Sequence, residues 1–203
     1  MRWTRREALK NLLPLLAVLS GAFAFLRPTK ARAVPIRPPG ALKEDDFLAK
    51  CIRCSKCVEA CLDRAIIVMN PRLEGHEQAG FGQAGTPFIR PRQKACTLCQ
   101  SSAGDSLRCT EVCPTGALTL VAKTPESIQK HVAMGRARVN KDICYSFTGS
   151  SCGVCVRACP FEGRALRAGH FETPIVDPEL CVGCGLCERV CIRYPQAIEV
   201  VPV

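Results

Sequence analysis

Aromatic residues make up only 5% of this 203-residue chain, too few for a large conventional core. Histidine is scarcer still. His76, His131 and His170 are the only three, and they stand apart in loops or predicted helix, which leaves no set for a haem or a Rieske centre. No C-x2-C-H occurs, so no c-type haem is attached. No glycine-rich fingerprint suggests a flavin or nicotinamide site. The apolar run from Leu12 to Leu26 is broken by Pro14, Ser20 and Gly21 and falls short of the roughly 20 residues of a bilayer span. Basic residues are scattered and not interleaved with aromatics, which argues against nucleic-acid binding. These absences leave the chain without substrate chemistry of its own, so it is not read as an enzyme. No cysteine is spare either: the sixteen divide into four groups of four.

Cys51, Cys54, Cys57 and Cys61 read C-x2-C-x2-C-x3-C, and Cys181, Cys184, Cys187 and Cys191 repeat that spacing unchanged. Cys96, Cys99, Cys109 and Cys113 read C-x2-C-x9-C-x3-C-P; Cys144, Cys152, Cys155 and Cys159 read C-x7-C-x2-C-x3-C-P. In the compact spacing three close thiolates hold one [4Fe–4S] cluster and the fourth ligates its neighbour. A C-x2-C step places two sulfurs on adjacent irons, and a C-x3-C step spans about one helical turn. Four groups imply four [4Fe–4S] clusters with all sixteen cysteines as iron ligands, and hence an electron carrier. Val182, Gly183, Gly185 and Leu186 are small or apolar, as a wrapping loop demands. Pro114 and Pro160 shape the chain exit in groups two and three, where Leu62 and Ile192 stand in groups one and four. Zinc ribbons also use C-x2-C pairs, but two pairs per site rather than this run. The same run is a poor disulfide framework, and no group lacks the ligand whose loss would leave a [3Fe–4S] cluster.

The N-terminus sets the compartment. Thr4-Arg5-Arg6-Glu7-Ala8-Leu9-Lys10 resembles a twin-arginine export motif, and Ala31-Arg32-Ala33 offers a cleavage site before Val34. Residues 1–33 are therefore read as a signal for the twin-arginine translocase, with an uncleaved anchor as the alternative. That pathway carries folded proteins, so clusters built in the cytoplasm are loaded before the thiols meet an oxidising periplasm. The formal charge of +10 drops to +4 without this segment. Four clusters at about −2 each bring the holoprotein to about −4.

Residues 34–50 read as a proline-rich connector and an amphipathic lead-in, and 51–203 as a four-cluster polyferredoxin domain. Apolar strands are expected after each group, within 63–68, 115–121, 163–166 and 196–201, and before groups two to four, within 86–90, 137–140 and 174–177. Leu73 to Gly85 reads as a solvent loop, and Thr124 to Met134 as a capped helix. The fold class is α+β: tandem or nested ferredoxin-like 2[4Fe–4S] modules of short strands and helices. Groups one and four are compact and lack the proline; two and three are expanded and have it. That symmetry favours nesting, with Cys51, Cys54, Cys57 and Cys191 around one cluster. The short step from Cys159 to Cys181 favours sequential pairing instead, with Cys113 completing group one. The insertions of groups two and three are polar, and shield a cluster, dock a partner, or have no role.

TRREALK, the apolar signal and the groups CIRCSKCVEAC, CTLC…CTEVCP, C…CGVCVRACP and CVGCGLCERVC together resemble the MauM/NapG ferredoxin-type proteins over essentially the whole chain. The resemblance implies a periplasmic electron carrier. NapG-like members work with a membrane-bound, ferredoxin-type quinol dehydrogenase subunit (NapH-like) and pass electrons through c-type cytochromes towards a periplasmic nitrate reductase. MauM-like members accompany methylamine oxidation, which leaves an accessory or maturation role as the alternative.

Overall fold

The computed structural model describes residues 34–70 and 82–203. The export segment, His76 and most of the loop expected at Leu73 to Gly85 lie outside the described residues. Among those described, no helix is long and apolar enough to cross a membrane.

The chain enters through Val34–Gly40, where Pro35, Pro38 and Pro39 favour extended backbone. This stretch, expected as a connector, is instead buried from Ile36 to Gly40. Its backbone is used on both flanks: the Ile89 amide donates to the Ile36 carbonyl (2.8 Å) and the Thr119 amide to the Gly40 carbonyl (2.8 Å). Arg37 fixes it further. Its Nε and Nη2 donate to the two Glu44 carboxylate oxygens at 2.8 and 2.6 Å, and Nη1 donates to the Pro87 carbonyl at 2.7 Å. The guanidinium lies 4.6 Å over the Phe47 ring. Phe47 is the buried residue of helix α1 (Glu44–Lys50), which begins with three acids and ends on Lys50, the polarity its dipole favours.

Each cysteine group then builds the same device. A four-residue helix carries the third cysteine at its second position: α2 (Lys56–Glu59), α3 (Arg108–Glu111), α5 (Val154–Arg157) and α6 (Leu186–Arg189). Between α3 and α5 lies α4 (Pro125–His131), the expected capped helix; the Thr124 hydroxyl accepts from the Ser127 amide at its N-terminus. The strands that follow and precede the groups pair in three antiparallel ribbons. β1 (Ile66–Val68) pairs with β2 (Pro87–Ile89), Ile66 opposite Ile89. β3 (Arg136–Val139) pairs with β6 (Ile198–Val201), Val139 opposite Ile198. β4 (Leu166–Ala168) pairs with β5 (Pro174–Val176), Leu166 opposite Val176.

Of the two arrangements the sequence left open, nested and sequential, this pairing gives the sequential one. β1/β2 joins group one to group two, and β4/β5 joins group three to group four, while β3/β6 closes the second unit around its own ends. Each of the first two ribbons joins the strand after the fourth cysteine of one group to the strand before the next group, across residues 69–86 in module one and 169–173 in module two, so sequential neighbours meet and the modules are tandem. Module one lacks a full outer ribbon. The strand expected at Thr115–Val121 shrinks to single bridges, Ala41 with Leu118 and Ser106 with Ala122. Pro38 and Pro39 have no N–H to extend a ladder there. One sequence expectation needs a second correction: Gly80-Phe81-Gly82-Gln83-Ala84-Gly85 does spell G-x-G-x-x-G. It leads into strand β2 and not into a helix, so it has no phosphate-binding context.

Candidate iron–sulfur sites

Four cavities in the protein are each lined by four cysteines, and every cysteine lines one cavity. Site 1 gathers Cys51, Cys54, Cys57 and Cys113. Site 2 gathers Cys61, Cys96, Cys99 and Cys109. Site 3 gathers Cys159, Cys181, Cys184 and Cys187. Site 4 gathers Cys144, Cys152, Cys155 and Cys191. In each module the fourth cysteine of one group crosses to the other group's site. The structure thus brings all sixteen sequence-predicted residues into four sets. His131 and His170 line none of these cavities.

The loops reach this arrangement through left-handed backbone. Arg53, Leu98 and Gly183, each preceding the second cysteine of its group, have φ of 59°, 55° and 75°. Ser55, Gly153 and Gly185, each preceding a short helix, have φ of 60°, 58° and 83°. The crossing cysteines receive main-chain hydrogen bonds: Ala65 N–H to Cys61 Sγ (3.3 Å), Leu118 N–H to Cys113 Sγ (3.4 Å) and Ala197 N–H to Cys191 Sγ (3.3 Å). Amide donors favour a thiolate and tune the potential of an attached cluster. At Cys113 burial works against ionisation, but the amides of Leu118, Thr115 and Ala117 outweigh it and the thiol is held below its ordinary range.

An apolar pair recurs at these donors and was not singled out in the sequence. Ala65-Ile66, Ala117-Leu118, Ala165-Leu166 and Ala197-Ile198 are all buried, one pair in the wall of each site. Alanine is small enough to let the backbone approach the sulfur. Its recurrence four to six residues after each fourth cysteine was the signal available.

Electrostatics say what such sites fit. Burial, then Cys51, Cys113 and Cys54, push Cys57 up to about 11. Burial, then Cys144, Cys191 and Cys152, push Cys155 up to about 11. Burial raises Cys184 to about 12. Four thiols so placed resist ionising together unless a cationic core lies among them, as the iron of a cluster does. A single ion fits less well: among the described residues no three or more His, Cys, Asp or Glu side chains are gathered for one metal ion.

The sites also adjoin one another in the order 1, 2, 3, 4, a line in sequence of contact. Cys109 of site 2 is raised by burial and then by thiols that include Cys57 of site 1. Cys96 of site 2 is raised by burial and, against the Leu98 amide, by Cys109 and by Cys184 of site 3. Cys187 of site 3 is raised by burial and by thiols that include Cys155 of site 4. The modules meet between sites 2 and 3, where the Cys96 amide donates to the Cys184 carbonyl at 2.9 Å. Arg92 closes the joint by donating to the carbonyls of Glu188 (3.1 Å) and Cys191 (2.9 Å). A larger cavity near this joint, lined by Val34, Ile36, Phe88 and Glu188 among others, contains no cysteine.

The class is settled by comparison with known families. The 4Fe-4S dicluster domain matches residues 50–117, 95–163 and 150–193. The first of these spans module one, whereas the second straddles groups two and three, which the fold places in different modules. Ferredoxin-type iron–sulfur proteins of this kind are electron carriers. More narrowly, the chain belongs to the MauM/NapG family of ferredoxin-type proteins. It is 35% identical to the methylamine utilization ferredoxin-type protein MauM of Paracoccus denitrificans, over 98% of this chain and 88% of that protein. It is 32% identical to the ferredoxin-type protein NapG of Escherichia coli, over 93% of this chain and 80% of that one. Ferredoxin-type protein NapF of Escherichia coli is more distant, at 24% over 77% and 79%.

Proposed function

We propose that this protein is a four-cluster electron wire, exported to the periplasm by the twin-arginine translocase, in which the sixteen cysteines ligate four [4Fe–4S] clusters. The observation that carries the reading is the alignment of four four-cysteine sites, with a ligand-to-ligand hydrogen bond where the modules join. Each cluster, when bound, accepts and releases one electron. The chain's own residues do the rest. Cys61, Cys113, Cys159 and Cys191 tie adjacent sites within a module, so the sites stay close. The Cys96 amide and Cys184 carbonyl carry the contact across the joint. Burial of Cys57, Cys109, Cys184 and Cys187 keeps water from the sites, and the amides of Ala65, Leu118 and Ala197 stabilise negative charge on sulfur.

In this reading residues 1–33 are the signal, 34–50 the lead-in and 51–203 the cluster-bearing domain. The donor is a membrane-bound, NapH-like quinol-oxidising protein. The acceptor is a c-type cytochrome or a periplasmic reductase such as nitrate reductase. The similarity to MauM favours a second reading, an accessory or maturation role in methylamine oxidation. Anaerobically purified protein should contain about sixteen irons and as many acid-labile sulfides. A carrier then passes many electrons per chain between a quinol-oxidising membrane fraction and a nitrate reductase system. Full clusters with no catalytic turnover would favour the maturation role, and material lacking iron would end both.

A further inference from the structure

We infer that the exposed edge of site 1 is the docking face for a redox protein whose own cofactor edge is ringed by carboxylates. The inference rests on site 1 holding a cluster. Cys54 is exposed, whereas the other fifteen cysteines are buried or half-buried, so this edge is where the line of sites comes nearest to solvent. Ile52 stands beside it with 62% of its surface exposed. Around that apolar centre lie Lys50, Arg53 and Lys56, all exposed.

The sign of the charge is consistent at this mouth. Arg53 and Lys56 are the charged residues in the wall of site 1, and no carboxylate lines it. Arg53 spends its donors on the carbonyls of Ala84 (3.0 Å) and Gly82 (2.9 Å), which hold the side chain in place without neutralising it. The nearest acids in sequence, Asp46 and Glu59, are not in the wall of the site. An apolar centre with a basic rim matches a partner with an acidic rim, and such complementarity acts mainly on the rate of encounter. The far end of the line shares the sign, with Arg193 and no carboxylate in the wall of site 4, but differs in its aromatic surface. Beside site 4, Tyr145, Phe147 and Tyr194 are exposed, with the Arg193 guanidinium 4.9 Å over the Tyr145 ring. None of the four cysteines of site 4 is exposed, and its wall holds one cation where site 1 holds two, so the carboxylate-bearing partner belongs at site 1.

The test uses the full-length holoprotein, reduced with dithionite, desalted anaerobically and mixed in stopped flow with hexacyanoferrate(III) or hexaamminecobalt(III). One electron leaves the protein for each complex ion reduced from the trivalent to the divalent state. Lys50→Glu/Lys56→Glu should slow oxidation by the anion about fivefold at low ionic strength and speed oxidation by the cation, and both effects should fade at 1 M salt, where the Debye length is about 3 Å. Arg164→Glu/Arg167→Glu, the same change of net charge at two exposed residues outside the walls of all four sites, is the control and should change neither rate as much. Equal responses of the lysine variant and the control, with iron content intact, would overturn the docking face alone. A wild-type protein without iron would overturn the cluster reading beneath it.

Discussion

Groups one and four have identical cysteine spacing and left-handed backbone at two matching positions, yet they sit at opposite kinds of place in the molecule. Group one ends the line; group four lies at the joint. Where group one has Arg53 and Ser55, group four has Gly183 and Gly185, all four in left-handed conformation. A Cβ on Gly183 would lie 2.4 Å from the Gly135 nitrogen, and one on Gly185 2.4 Å from Pro91 Cβ. The glycines of group four therefore do more than permit a turn: they let one chain segment press on another. Group one tolerates side chains at the same positions because its loop faces solvent. The same spacing specifies a cluster loop in both, and the residues between the cysteines specify what the loop touches.

The modules differ in a parallel way. Module two closes itself with the four-residue strands β3 and β6, whereas module one relies on isolated bridges and on Arg37 gripping Glu44. The largest expected effect follows from this. Arg37→Ala should leave the Glu44 carboxylate, 12% exposed, without its guanidinium and cost about 3–5 kcal/mol. The iron lost on mild denaturation should come from sites 1 and 2 first. Equal loss from both modules, followed by EPR in denaturant, would erase the distinction.

Next in size is Gly185→Ala, which combines overpacking with a left-handed alanine and should cost about 3 kcal/mol. Ser55→Ala at the matching position should stay within about 1 kcal/mol. Thermal melts of the two holoproteins measure the difference directly, and similar melting temperatures would mean that the joint is not where group four's glycines matter. In the opposite direction, Ser55→Gly relieves a left-handed non-glycine residue and should stabilise by about 0.5–1 kcal/mol, the strain being partly offset by glycine's greater chain entropy.

The smallest effect is expected at the group-three insertion. There Glu172 is held below the usual carboxylate range, first by the Ser151 hydroxyl and then, against slight desolvation, by Arg157. A lowered carboxylate contributes above its ordinary value of 4.5 and loses that contribution as pH falls through the depressed value. Because the group is exposed, Glu172→Gln should shift the melting temperature at neutral pH by no more than about 2 °C.

Much of this was legible in the cysteines alone. Spacing identifies the loops, the short helices between third and fourth cysteines, and the sixteen side chains the sites gather. The strands at 66–68, 87–89, 174–176 and 198–201 lie within the expected segments because short runs rich in Ile, Val and Phe stand there between turns. Pairing of the groups was legible only in part, through the short step from Cys159 to Cys181. The compact and expanded spacings suggest a symmetry of one with four, but spacing within a group carries no information about which strands pair between groups, and the long connection over residues 69–86, from Val68 to Pro87, gives no such hint for groups one and two. The burial of Ile36 and Arg37 was hidden for a different reason. A proline-rich stretch reads as a linker, and only the Glu44 and Thr86 side chains that receive Arg37 make it part of the core. The four Ala-Ile/Leu pairs were visible but are ordinary residues in short apolar runs, and only their place against sulfur gives them meaning.

Sequential pairing is the claim on which the line of sites depends, and paired cysteine removals measure it. In Cys57→Ala/Cys113→Ala both losses fall on site 1, so the account expects three whole clusters, about twelve irons per chain and no three-iron EPR signal. In Cys57→Ala/Cys191→Ala the losses fall on sites 1 and 4, so two clusters should be damaged, with about eight irons remaining or three-iron signals from both. The reverse assignment, one cluster lost in the second variant and two damaged in the first, would contradict it.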